Sequence, residues 1–151
     1  HCRRHYEGAG PYMRVVLDTN VFVSAIFFTG PPYQILNAWR DGKLRLVISH
    51  EIFTEYQNVG ETLNQRFPAI DLGAILGMVT IMAEICPITS LPEPVCTDPD
   101  DDKFLACALA GQCQVIVSGD KHLLRVSGFQ GIRVLKPRDF VTEYLAGSED
   151  V

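Results

Sequence analysis

The chain has 151 residues, 47% of them hydrophobic, which suits one globular domain with a buried core and excludes a disordered chain. Its 13 basic and 18 acidic residues leave a net charge of −5. That balance excludes a protein that grips nucleic acid by bulk positive charge, but it leaves room for an acid cluster that gathers divalent cations.

Residues 1–12 carry arginines, histidines and a Gly-Ala-Gly-Pro run without periodicity, and are expected to be an upstream extension or expression scar. A single domain is expected over residues 13–146, with a short tail at 147–151. Residues 14–17 are mostly β-branched and run straight into Asp18, which predicts a strand buried on both faces with an acid at its carboxyl end. A helix follows over 18–28 until Gly30-Pro31-Pro32 stops it, and a second is expected over 33–41. Residues 44–48 read as the second strand, and Ser49 as the N-cap of a helix over 50–63. Ile52, Glu55, Tyr56 and Val59 share one helical face, and an acid on an apolar stripe is costly without a partner.

Pro68 is expected to open a helix reaching residue 83, in which Gly73 and Gly77 would allow close approach of a helix of the same domain or of a second copy. Residues 72–83 carry no charge, but a bilayer span needs roughly 20 residues, so no membrane segment is expected. A third strand is expected over 84–88. Asp98-Pro99 then reads as a capped start of a central helix ending at Gly111. Helix-start chemistry accounts for most of the acids there. Asp102 has Leu105, Ala106 and Leu109 on its face, whereas Asp101 shows a weaker version of that pattern, so the choice between them stays open. Residues 114–117 form a fourth strand that ends in Ser118-Gly119-Asp120, followed by a short helix over 121–125, a fifth strand over 132–135 and a closing helix over 137–146.

This alternation predicts a parallel α/β sheet covered by helices, with all strand carboxyl ends on one edge. Asp18 and Asp120 then share that edge, and the helices carrying Glu55 and Asp102 can start from it. Carboxylates crowded together repel, and a hard dication among them relieves the repulsion. Oxygen-only donors at an open site suit Mg²⁺ or Mn²⁺ and phosphodiester hydrolysis by in-line attack of an activated water. Of the competing chemistries, Ser–His–Asp catalysis and nucleotide-binding glycine loops have no motif here. An aspartyl phosphatase using Asp18 would want a second acid two residues on, where this chain has Asn20. Five cysteines, an odd number without Cys-x-x-Cys spacing, argue against a zinc or disulfide framework and point to a reducing, cytoplasmic compartment. Structural roles compete at each site: Asp18 as a plain N-cap, Glu55 paired with Arg45, Asp102 as dipole decoration, Asp120 as a turn residue. Lys43, Lys103, Lys121 and Arg125 read as solvated surface or as an RNA path.

Three stretches carry a family resemblance: the opening Val15-Val16-Leu17-Asp18-Thr19-Asn20-Val21-Phe22, the central Asp98-Pro99-Asp100-Asp101-Asp102-Lys103-Phe104-Leu105-Ala106, and Val117-Ser118-Gly119-Asp120-Lys121-His122-Leu123. In this order and spacing they resemble the PIN domain, and most of all the prokaryotic PIN proteins described as toxins of toxin–antitoxin pairs. The resemblance implies a three-layer α/β/α sandwich with a central parallel sheet, and a ribonuclease dependent on Mg²⁺ or Mn²⁺. It matches Asp18, Glu55, Asp102 and Asp120 to the family's metal-binding acids, Asn20 and Ser118 to residues that orient the first and last of them, and Asp98 to a supporting acid. It implies an RNA substrate, an antitoxin protein as partner and a homodimer. The alternative is a non-catalytic PIN-like module that binds RNA or protein.

Overall fold

The computed structural model describes residues 12–87 and 91–145. Apart from Tyr12, the expected extension and the tail lie outside the described residues. The elements are β1 (Met13–Leu17), α1 (Thr19–Phe27), α2 (Pro31–Arg40), β2 (Leu44–Ile48), α3 (His50–Arg66), α4 (Leu72–Met82), β3 (Glu84–Ile85), α5 (Asp102–Ala110), β4 (Val115–Val117), α6 (Lys121–Leu124), β5 (Arg133–Leu135) and α7 (Pro137–Phe140).

The strands form one parallel sheet in the order β3-β2-β1-β4-β5, flanked by helices, as the alternation of elements requires. Val15, Val16, Ile116 and Val117 are fully buried, as strands covered on both faces must be. The chain moves outward from β1 through β2 to β3, then returns across the sheet to β4 and on to β5. The direction of winding therefore reverses between β1 and β4, and in open parallel sheets the crevice beyond the carboxyl ends at that point receives ligands. Register makes the junction specific: Leu17 pairs with Val117, so Asp18 and Ser118 emerge side by side. The Asp18 amide donates to the Val117 carbonyl at 3.0 Å, carrying the pairing one step further.

Several boundaries differ from the sequence expectation. Helix α4 starts at Leu72, capped by the Asp71 carboxylate on the Ala74 amide at 3.0 Å. Pro68 instead lies in a turn held by Asn64, whose side-chain amide donates to the carbonyls of Phe67 and Ile70 at 3.0 Å each. The central helix is preceded by a 3₁₀ turn over Pro99–Asp101. After α7 the backbone continues in π-helical form over Val141–Leu145.

An ideal Cβ on Gly77 would meet nothing within 4 Å, and one on Gly73 only the Asp71 carboxylate, so no helix among the described residues packs closely on that face. Gly111 is the glycine that close approach demands, since a Cβ there would stand 2.7 Å from Val47. Cys96, Cys107 and Cys113 are buried free thiols. Cys86 is disulfide-bonded, where the cysteine spacing argued against a disulfide framework. Spacing rules speak to frameworks of several bridges and miss a single one.

Candidate active site

Asp18 is 5% exposed and does two jobs. Its Oδ1 accepts from the Val21 amide at 2.8 Å, capping α1, and its Oδ2 accepts from the Ser118 hydroxyl. Ser118, fully buried, accepts in turn from the Asp120 amide at 2.9 Å, which fixes the turn leaving β4. Burial raises the Asp18 carboxyl above its ordinary range; the Ser118 and Val21 bonds work against that, and the charges of Asp120 and Glu55 add to it. The capping role and the buried, charge-coupled position thus coexist. Asp120 also caps α6, accepting from the His122 amide at 2.7 Å.

Glu55 reaches the same edge from α3. Its Oε1 accepts from the Thr19 hydroxyl, and its Oε2 lies 3.2 Å from Lys103 Nζ. The next residue, Tyr56, is fully buried, donates to the Leu17 carbonyl at 2.6 Å and stacks on Phe22 with ring centroids 3.9 Å apart. This anchors α3 to the end of β1. Lys103 is 7% exposed, not the solvated lysine expected from sequence. Burial works to lower its pKa, but bonds to Asp100 and Glu55 outweigh it and the group is held above its usual value.

Asp102, half-buried at the start of α5, is held by the loop before it. Its two oxygens accept from the Val95 amide at 3.1 Å and the Cys96 amide at 2.8 Å, tying the preceding loop to α5. Asp101 takes the inward place instead: it is 8% exposed and its Oδ2 has no hydrogen-bond partner among the described residues. Burial first, then the charges of Asp120 and Asp98, push its pKa up to about 6. Asp98 is exposed and accepts from the Asp100 amide at 3.0 Å, a turn-forming role. Asn20 is exposed at the start of α1. A cavity of about 310 Å³ is lined by Asp102 and Lys103 together with Glu51, Leu91, Pro94 and Pro99. Burial and the neighbouring Asp102 push the Cys96 thiol up to about 12, which removes it as a nucleophile.

Asp18 and Asp101 therefore each stand against the charge of Asp120 near the β1/β4 reversal, with one buried Asp101 oxygen orphaned. Among the described residues no three His, Cys, Asp or Glu side chains stand close enough together to hold a metal ion as they are placed. An open, oxygen-only set fits a hard dication that keeps several waters and meets a substrate phosphate. The orphaned Asp101 oxygen is the particular feature such an ion would satisfy.

Comparison with known proteins agrees with this geometry. The PIN domain profile matches residues 14–122, which spans β1 through the start of α6 and includes every acid discussed. The uncharacterized protein MJ1680 of Methanocaldococcus jannaschii is similar at 28% identity over 145 residues, covering 87% of this chain and 92% of that protein. No helix among the described residues is long and apolar enough to cross a membrane. The chain belongs to the PIN domain family, a nuclease-type group.

Proposed function

We propose that the protein is an endoribonuclease that hydrolyses RNA phosphodiester bonds with Mg²⁺ or Mn²⁺. The observation that supports this most directly is the buried Asp18 at the sheet reversal, charge-coupled to Asp120, with Asp101 buried and unpartnered beside them. In this reading Asp18, Asp101 and Asp120 hold the metal, and the place first given to Asp102 passes to Asp101. When bound, the ion lowers the pKa of a water and offsets charge on the phosphate.

The chain's own residues do the rest. Ser118 orients Asp18 and pins the backbone of Asp120. Lys121 and Arg125 are exposed on and just after α6, next to Asp120, and offer contacts to the phosphates that flank the cut. Without a dication the acids repel a phosphodiester, so the site is silent until it is loaded. A non-catalytic module would keep the same repulsion with nothing to offset it.

The test is cleavage of a mixed-sequence single-stranded RNA in Mn²⁺, Mg²⁺ and EDTA, with Asp18→Asn as control. Cutting lost in EDTA and in the variant supports the reading, and no cutting in either metal by folded protein removes it.

Two partner readings go with this one. In a toxin–antitoxin pair, a peptide of the antitoxin would cover the acids; co-expression of the neighbouring gene product, followed by loss of cleavage, tests it. A homodimer would use α4, which is uncharged yet buries only Leu72 and Val79 and leaves Ile81 84% exposed. Light scattering should give twice the monomer mass, falling to the monomer in Ile81→Glu.

A further inference from the structure

Glu55 differs from Asp18, Asp101 and Asp120 because one of its oxygens faces a buried cation. Thr19 donates to one and Lys103 stands 3.2 Å from the other. Lys103 Nζ also lies 2.8 Å from Asp100 Oδ2 and donates to the Asp100 carbonyl at 2.9 Å. These contacts join three helices at chosen points. Thr19 opens α1 directly after Asp18, Glu55 sits in the second turn of α3, and Lys103 follows Asp101 by two residues on α5. Lysine is almost never this buried without partners, so its ion pairs hold it in place. A cation in an acidic group would normally compete with a metal ion, but the ion pairs of Lys103 are with Glu55 and Asp100, and it acts on Asp101 through its charge alone.

We propose that Thr19, Glu55 and Lys103 form a bolt of positioning residues that holds the start of α1 against the start of α5. The inference rests on the reading of Asp18, Asp101 and Asp120 as the metal-holding set. It has a consequence opposite in sign to simple electrostatics. Deleting a positive charge beside an acid cluster should tighten binding of a dication if Lys103 only screens or competes. If Lys103 is a bolt, deletion loosens the placement of Asp18 and Asp101, and binding weakens by about tenfold, the usual cost of losing a residue that orients metal ligands.

The experiment is calorimetric titration of Mn²⁺ into wild type, Lys103→Met, Glu55→Gln and the double variant, with amide hydrogen exchange on the metal-free proteins. Methionine fills the lysine's volume without leaving a buried charge, and circular dichroism confirms folding. The bolt predicts weaker Mn²⁺ binding in each single variant, a double variant no worse than either single, and faster exchange at residues 18–22 and 99–104. Tighter or unchanged Mn²⁺ binding in Lys103→Met overturns it. So do additive losses, which would mean that Glu55 and Lys103 act independently. Failure of the wild type to bind Mn²⁺ would bring down the nuclease reading; the exchange data then judge the bolt by themselves, and unchanged exchange overturns it.

Discussion

Two places in this fold bury charge, and they do so in opposite ways. Near the start of β1, Arg14 reaches across the sheet to Glu84 of β3, with contacts of 2.6 and 2.7 Å, and donates through Nε to the Gly111 carbonyl at 2.7 Å. Each charge there meets its opposite. At the carboxyl end of the same strand, Asp18 is buried among other acids, and Asp101 has a buried oxygen that nothing satisfies. A fold that pairs its buried ions at one end and leaves acids repelling at the other fits the proposed role of the second group, since a bound dication would offset that repulsion.

Mutation can break that contrast. Glu84→Ala leaves Arg14 buried with its main partner gone, which should lower stability by about 3–5 kcal/mol while leaving RNA cleavage by the folded fraction intact. Urea unfolding against single-turnover cleavage measures both sides. Asp18→Asn should do the reverse. Cleavage falls about 100- to 1,000-fold, yet the melting temperature holds or rises, because asparagine still caps α1 and the repulsion from Asp120 and Glu55 is relieved. A large loss of stability in Asp18→Asn would mean that the acid belongs to the architecture after all.

Ser118→Ala should sharpen the comparison at smaller cost. It removes the hydroxyl that orients Asp18 and should weaken Mn²⁺ binding by about tenfold in a titration.

The smallest effect is a pH slope. Asp101 goes from 3.8 to about 6 on folding, so between those values the native state binds more proton than the unfolded chain. Stability of the metal-free protein should therefore fall as pH rises through that window. Asp101→Asn should flatten the slope in denaturation curves taken at pH 4, 5 and 6.

Much of this was legible in the residues themselves. The apolar run before Asp18 marked a buried strand with an acid at its functional end, and the register of Leu17 with Val117 agrees with it. Glu55 was detectable as an acid on an apolar helical stripe. The confusion between Asp101 and Asp102 has a physical origin. Continuing an α-helix back to Pro99 assumes about 100° per residue, whereas the 3₁₀ turn over Pro99–Asp101 advances about 120°. Asp101 stands in that turn and is buried, whereas Asp102 opens α5 and accepts from the loop amides of Val95 and Cys96, a pairing that residue spacing does not announce. Lys103 was read as surface because a lone lysine gives no sign of its partners. The one hint was its place at the head of the apolar run Phe104-Leu105-Ala106. The Asp71 cap was hidden by a proline three residues earlier that looked like a better start.

The bond from Ser118 to Asp18 links positions 100 residues apart in sequence. During synthesis, a chain that has emerged only as far as α4 already carries Asp18 and Glu55, but it lacks Asp101, Ser118 and Asp120. At about 5–20 residues per second, the nascent polypeptide spends several seconds between α4 and Asp120. Under the reading proposed above, the metal-holding set stays incomplete over that interval and closes only when β4 joins β1 in the sheet.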